Sequence, residues 1–407
     1  YAFDAYRLQP AGAVPLVHAG RPPAPAVGGD ITLAALNVLN YFTTLGVWGA
    51  TTTAELQRQR TKLVAALQAI DADALVLCEL ENNDVAWADL QAALNAAMGA
   101  GTYAVREVDA SGSGGTRTAI FYKPSVLTPQ GPLQALNTTL FQRPHLTQAF
   151  LVNATEGRFL LSGVHLRSKL CDNATGSNLD QGDGQGCYNA LRREQVTALL
   201  AHWNDVRTST GIAAQVILGD FNAYSQEDPI DRLRAAGLVD LLPMDAHTFR
   251  FEGTFGQLDH AFGTEQFAAA LSSTAVWNLN CDEAAELDYR EVNLSRYQPG
   301  PYRSADHDAL VVGLNSAWME LGVRGPTAAA PVVQLQHQEG HLVWSAAVQG
   351  PFRIELYDAQ GRHLATTKPH VGVVMHPTNG MAGQLVLWRA RCAGDAVIGQ
   401  GRAVVVR

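Results

Sequence analysis

The chain has 407 residues, 47% hydrophobic and 16% charged, with a formal net charge of −9. This length exceeds one ordinary core and predicts two or three domains, and the composition excludes a largely disordered chain. No apolar run approaches the ~20 residues of a membrane span, so a soluble chain with no membrane insertion is expected. The negative balance excludes a generally basic nucleic-acid coat, but not an enzyme that holds phosphate through a metal ion. From Asn315 onward eight Lys/Arg face five Asp/Glu, so the acidic excess lies in the first 314 residues. The opening Tyr1-Ala2-Phe3-Asp4 has neither the basic start nor the apolar core of a signal peptide; a trimmed secreted chain would begin in the same way.

Residues 1–30 hold Pro10, Pro15, Pro22, Pro23 and Pro25 without a regular period and read as an arm or linker. Ile31–Tyr41 is a strand-like run. Thr53–Ile70 has helical spacing (Leu56, Leu63, Leu67, Ile70), with Thr53 as the expected N-cap and Glu55 in the first turn. Ala74–Leu80 predicts a strand and Val85–Met98 a helix. Tyr103–Val108 and Thr118–Lys123 predict strands around a Gly/Ser turn at 111–115. Arg158–Leu166 is a strand, Tyr188–Arg207 a helix and Ala214–Gly219 a buried strand, with Leu258–Gly263 and Ala309–Gly313 as two more. Strands that follow one another directly, with helices between others, predict a mixed α/β sandwich rather than regular βαβ winding. Residues 315–330 read as a linker ending in Ala328-Ala329-Ala330-Pro331. Residues 331–407 carry short β-rich runs (Val332–Gln336, Leu342–Ser345, Phe352–Tyr357, Leu385–Arg391, Ala403–Arg407), the pattern of a small all-β sandwich.

None of the five cysteines forms a CxxC, which argues against a zinc knuckle. Cys171 and Cys187 bracket a loop rich in Gly, Asp and Asn with little core of its own. A disulfide is the favoured reading and two unrelated thiols the alternative. Cys78 sits in an apolar strand as a small buried residue; Cys281 and Cys392 have no assignment from sequence. The run Gly182-Asp183-Gly184-Gln185-Gly186 follows a polar loop rather than a strand, which disfavours a phosphate cradle.

Chemistry-bearing residues recur at the ends of apolar strands. Val76-Leu77-Cys78 leads to Glu79, Leu161-Ser162-Gly163-Val164 to His165, and Val216-Ile217-Leu218-Gly219 to Asp220 and, two residues on, Asn222. Leu258 leads to Asp259 and His260, and Asp306 and His307 precede the closing strand. A lone Asp after a strand is ordinarily a turn former and a lone His a surface or core residue. Carboxylates, amides and imidazoles at several strand ends together describe a hard-cation site surrounded by acid–base groups.

These segments (Leu36-Asn37-Val38-Leu39-Asn40, Leu77-Cys78-Glu79, Gly163-Val164-His165-Leu166-Arg167, Gly219-Asp220-Phe221-Asn222, Leu258-Asp259-His260 and Ser304-Ala305-Asp306-His307-Asp308) resemble the ordered motifs of the endonuclease/exonuclease/phosphatase, or DNase I-like, superfamily over residues 31–314. Asp180–Ala190 is similar to the insertion of secreted bacterial nucleases of the ExeM/NucH type. The resemblance implies a four-layer αββα sandwich with the site at one rim. It implies a metal held by Glu79 with Asn37 and Asp306, and Mg2+ or Mn2+, with Ca2+ as a further candidate, as the cofactor. Asp220 would activate water and Asn222 would hold the phosphate. His307 would pair with Asp259, and His165 would act as general acid or donor to the leaving oxygen. Arg117 and Arg167 are candidate phosphate clamps, with solvated surface arginines as the alternative, and Glu107 is the candidate carboxylate partner of His165. Cys78 departs from the superfamily pattern, as does the text around Arg117-Thr118-Ala119-Ile120. Ile354–Arg362 and Gly383–Leu387 resemble type IX secretion sorting domains.

The function implied is that of a monomeric, secreted or cell-surface bacterial nuclease acting on DNA, with RNA as a second polymer. The C-terminal module would meet the secretion machinery. A same-fold phosphoesterase acting on a small phosphorylated molecule or a phospholipid head group is the alternative. A noncatalytic adhesin is disfavoured, because a binding module needs no acid–base set.

Overall fold

The computed structural model describes residues 20–108, 114–243, 245–319, 333–338, 341–346, 351–357, 363–371, 373–377, 385–392 and 397–404. Two six-stranded sheets dominate. The first runs in the order β13 (Leu271–Trp277), β14 (Ala309–Leu314), β1 (Ile31–Tyr41), β2 (Ala74–Glu81), β4 (Thr116–Tyr122), β3 (Ala104–Arg106). The second runs β5 (Leu127–Leu136), β6 (His145–Val152), β7 (Arg158–His165), β8 (Gln215–Asp220), β12 (Asp259–Gly263), β9 (Val239–Asp240). A small hairpin pairs β10 (Phe249–Phe251) with β11 (Thr254–Gly256). Helices α1 (Thr53–Ile70) and α2 (Asp84–Met98) cover the first sheet, and α3 (Asn189–Thr210) and α4 (Asp228–Ala235) the second. A short α5 (Glu265–Ala269) follows β12.

Strand alternation builds the four layers. In β1, Leu33 and Ala35 enter the core between the sheets, while Ala34, Leu36 and Val38 meet α1 and α2. β2 divides likewise, with Val76 and Cys78 inward and Leu75 and Leu77 toward the helices. In β8, Val216 and Leu218 face the other sheet, and Ile217 faces Val196, Leu199 and Trp203 of α3. Strands buried on both faces read as nearly continuous apolar runs, which is why they are visible in sequence. On α1, Leu63, Ala66, Leu67 and Ile70 form the buried stripe.

The N-cap of α1 is Thr52, not Thr53. The Thr52 hydroxyl accepts from Glu55 N at 3.1 Å, while Glu55 Oε2 accepts from Thr51 N at 2.7 Å. Strands β5, β6 and β13 and helix α4 are additions to the sequence reading. β5 lies at a sheet edge, where Pro129 and Pro132 remove no needed ladder donor. β6 hides its pattern because its helix-facing side is polar. His145 contacts Thr147, Thr147 contacts Ser162 at 2.8 Å, and Trp203 Nε1 donates to Ser162 Oγ at 3.0 Å.

Residues 20–29 run along the first sheet: Trp277 Nε1 and the Tyr302 hydroxyl donate to Pro22 O, and Ser273 Oγ donates to Val27 O. Pro10, Pro15, most of the expected turn at 111–115 and the Ala328–Pro331 segment lie outside the described residues. Toward the C-terminus, β15 (Val333–Gln338), β16 (His341–Ala346) and β19 (Val373–Pro377) form one small antiparallel sheet. β18 (His363–Thr366), β17 (Phe352–Tyr357), β20 (Leu385–Cys392) and β21 (Val397–Val404) form another. Leu342, Trp344, Phe352, Ile354, Leu356 and Trp388 share their core. Among the described residues no helix is long and apolar enough to cross a membrane.

Candidate active site

Strand direction gathers the polar residues. β1 is parallel to β2, and β7 to β8, so all four end at one rim. β14 is antiparallel to β1, and β12 to β8, so their first residues arrive at the same rim. Asp259 is paired directly with Asp220, and His165 lies opposite Asp220 on the other side.

The backbone there departs from regular strand. The β1–β2 ladder shifts register after Asn37/Cys78, and Leu39, Asn40, Glu79 and Asn222 all have positive φ, between 47° and 68° for the four residues (Asn40 φ 47, Glu79 φ 68). Non-glycine residues held in this region cost of order 1–3 kcal/mol each and re-aim the side chains they carry. Cys78 faces the core between the sheets, so simple alternation would point Glu79 toward the helices; the shift turns it to the rim instead. Asn40 N donates to Glu79 Oε2 at 2.9 Å and holds it there. Asn222 lies past the end of β8 and reaches the site through a turn rather than through strand alternation: its N–H donates to Asp220 Oδ1 at 2.8 Å and its Nδ2 to Leu166 O at 3.2 Å.

Asp220 is the hub. Asn37 Nδ2 reaches across from the first sheet to donate to Asp220 Oδ2 at 3.2 Å, and Asn37 Oδ1 accepts from Leu39 N. His165 Nε2 lies 3.5 Å and His307 Nε2 3.9 Å from the same oxygen. His307 Nδ1 donates to Asp259 Oδ2 at 2.7 Å, which aims its Nε2 into the rim, and Phe249 packs on the imidazole with ring centroids 4.6 Å apart. Asp259 is fixed in turn by Thr248, whose Oγ1 accepts from Asp259 N. His260, one residue on, faces the other way and bonds Ala223 O.

Burial and neighbouring charge divide the protonation states. Burial works against a charged His307, but Asp259, Asp220 and then Asp306 outweigh it and push its pKa well above the ordinary value. Burial, reinforced by Arg143 and His307, drives His165 well below its ordinary value. The site therefore holds one imidazolium and one neutral imidazole. Burial, aided by Asp259 and opposed by His307, raises Asp220 to about 6. Burial and the facing Asp306 raise Glu79.

Glu79 and Asp306 form the part of this set that fits a cation. They repel one another electrostatically, and Asp306 Oδ1 is buried without a hydrogen-bond partner. Two hard oxygen donors and an unsatisfied lone pair suit a divalent ion that keeps waters and takes phosphate oxygens. Asp220, Asp259 and His307 place donor atoms within 4.8 Å of one another. Since His307 Nδ1 is already committed to Asp259, these three read as the acid–base network.

Arg117 does not line the rim. It is buried at 2% exposure, its guanidinium bonded to Glu107, Val108 O and, at 2.8 Å, Asp84. That pairing also removes Glu107 as partner of His165, whose nearest carboxylates are Asp220 and Glu79. Arg167 stays at the rim, its guanidinium 4.1 Å from the Tyr188 ring centroid and donating to Gln142 Oε1. Sequence reasoning missed Arg143, which comes from the loop before β6. It donates to Thr116 Oγ1 and Leu166 O, and its charge is felt by Glu79 and Asp220. No motif flags it. Cys171 and Cys187 form a disulfide with Cα atoms 5.2 Å apart. Lys169 donates to Gln185 O, and Arg192 to Gln185 O and Cys187 O, holding the glycine-rich loop.

Two sheets that close on a rim of paired carboxylates, imidazoles and amides define a phosphoesterase-type hydrolase. The chain belongs to the endonuclease/exonuclease/phosphatase family, whose profile matches residues 34–307. Solved structures similar to this chain include the human Nocturnin catalytic domain (17% identity, 72% of this chain and 94% of that one, TM-score 0.44). They also include an endonuclease/exonuclease/phosphatase from Beutenbergia cavernae (16%, 92% and 99%, TM-score 0.46) and a mannosyl-6-phosphatase from Bacteroides thetaiotaomicron (16%, 70% and 99%, TM-score 0.46). No curated protein matches this chain by sequence.

Proposed function

We propose that the protein is an exported, divalent-metal-dependent phosphodiesterase that hydrolyses DNA, with RNA as a second polymer. The observation that carries this reading is the adjacency of the Glu79–Asp306 pair, with its unsatisfied Asp306 Oδ1, to the Asp259–His307 pair and Asp220. Glu79 and Asp306 would hold the ion, Mg2+ or Mn2+, which when bound would supply charge neutralisation at the phosphate. Asp220, its pKa near the working range, accepts the proton of the attacking water. His307, kept cationic by Asp259, donates from Nε2 toward the phosphate, and the neutral His165 offers a further hydrogen bond to the leaving oxygen. Asn37 is the strut that keeps Asp220 in register with the first sheet. Arg143 and Arg167 add positive charge without basic flanks.

A polymer is favoured by Trp48, which is 59% exposed and packs on Gly115, next to the Thr116 that Arg143 contacts. An open indole beside a phosphate site suits base stacking. Export is favoured by the disulfide, since such bonds persist in oxidising compartments. The C-terminal sheets would serve as the address read by a secretion system. The test is cleavage of supercoiled plasmid with Mg2+ and with chelator, run beside sugar phosphates and phosphomonoesters. Chelator-sensitive nicking is expected. Phosphate release from monoesters with intact plasmid would overturn the reading in favour of a small-molecule phosphatase.

A further inference from the structure

A second donor cluster lies on loops beside the active-site rim, and the hydrolysis described above does not use it. His247 Nε2 is 3.0 Å from Asp282 Oδ1, and Cys281 Sγ is 3.8 Å from that same oxygen. The ligand atoms of His247, Cys281 and Asp282 all fall within 4.8 Å of one another. Cys281 Sγ also lies 2.6 Å from Asp308 Oδ2. Three segments distant in sequence thus bring one sulfur, one imidazole nitrogen and carboxylate oxygens to one point.

The cluster is held from behind. Asn280 N and Cys281 N both donate to Asp308 Oδ1, which leaves Oδ2 facing the thiol. Asn278 Nδ2 donates to Asp308 Oδ2 at 2.9 Å and lies 3.2 Å from His247 Nε2. Cys281 is buried, while His247 and Asp282 are open enough to admit an ion. Tetrahedral zinc with thiolate, imidazole and carboxylate ligands sets neighbouring donor atoms about 3.4–3.6 Å apart. The separations of 3.0 and 3.8 Å bracket that value.

We propose that His247, Cys281 and Asp282 form a site for a zinc-class divalent cation, distinct from the Glu79–Asp306 centre. Sulfur and imidazole donors select such an ion over Mg2+ or Ca2+. Binding releases the thiol proton to solvent, and Asp308 Oδ2 can join as fourth ligand after an opening of about 1 Å, or leave that position to water. The ion would tie the segment carrying His247, two residues before the Phe249 that packs on His307, to the loop that anchors Asp308, the residue after His307.

The test is a titration of the metal-free full-length protein with Co2+, followed by absorption. A thiolate-to-cobalt charge-transfer band at one equivalent is expected, competed by Zn2+ and not by Mg2+. Cys281→Ser should abolish the band, His247→Ala should weaken binding more than about tenfold, and Glu79→Gln should leave the band intact. His247 is partly exposed, so its variant keeps the test valid if Cys281→Ser folds poorly. Absence of the band in the wild type, or its persistence in Cys281→Ser, would overturn the proposal.

Discussion

Asp259→Asn isolates the charge that sets His307. The substitution keeps the side-chain volume and leaves the Thr248 contact to the backbone N–H intact. It converts a 2.7 Å charge-assisted bond into, at best, a neutral one from Nδ1 to the amide oxygen. A hydrogen bond to a charged group is worth about 1.5–3 kcal/mol, so the His307 pKa should fall by about one to two units. Asp220 and Asp306 remain to support the cation, so the fall should be partial. Hydrolysis of bis(p-nitrophenyl) phosphate at saturating Mg2+ should drop by about 10²-fold or more. Because His307 acts while protonated, activity is lost as pH rises through its pKa. A lowered pKa therefore moves the basic limb of the rate profile to lower pH. A folded variant with turnover within about threefold of wild type and an unmoved basic limb would refute the assignment.

Gly219→Ala should be severely destabilising, by more than about 3 kcal/mol in urea unfolding, because Gly219 sits at φ +137° and an added Cβ would lie 2.2 Å from Val164 O; wild-type stability would show that β7 and β8 are not in this register. Replacing both Cys171 and Cys187 by Ser should cost up to about 3 kcal/mol and open residues 171–187 to limited proteolysis, whereas an unchanged digest would mean that Lys169 and Arg192 hold the loop unaided. His145 is buried neutral, its pKa pushed down by burial and His202 to about 3. The unfolded chain therefore binds the extra proton between about pH 6.5 and pH 3, and stability should fall as pH drops through that window, by about 2 kcal/mol at pH 5 from this residue. His145→Gln should flatten that slope in pH-dependent denaturation, and an equal slope in both proteins would count against it.

Much of the architecture was legible from local pattern. β1, β2, β7, β8, β12 and β14 are buried apolar runs with Asn, Glu, His or Asp at or beside one end, and α1 carries a plain helical stripe. Where such a run stops at a polar residue, the sequence by itself marks a strand end and names the chemistry available there, including Glu79, His165, Asp220 and His307. It could not show which strand ends meet. That depends on β1–β2 and β7–β8 being parallel while β12 and β14 run the other way, a property of pairing between distant segments.

The same limit explains the errors. Arg117 has the composition of a phosphate clamp, but Asp84 and Glu107, brought up from either side, satisfy it in the interior. Arg143 stands in a loop with no recurring pattern and acquires its place only when Leu166 and Thr116 arrive beside it. β5 carries prolines that local propensity reads as loop, and only an edge position makes them tolerable. The difference between the two imidazoles is likewise tertiary. His307 and His165 are the same residue type with the same ordinary pKa, and one is cationic because Asp259 is bonded to it while the other is neutral because it is buried beside Arg143. Periodicity and residue type are local and survive in a linear string. Electrostatic environment falls off with distance in space, so it exists only once the chain has folded.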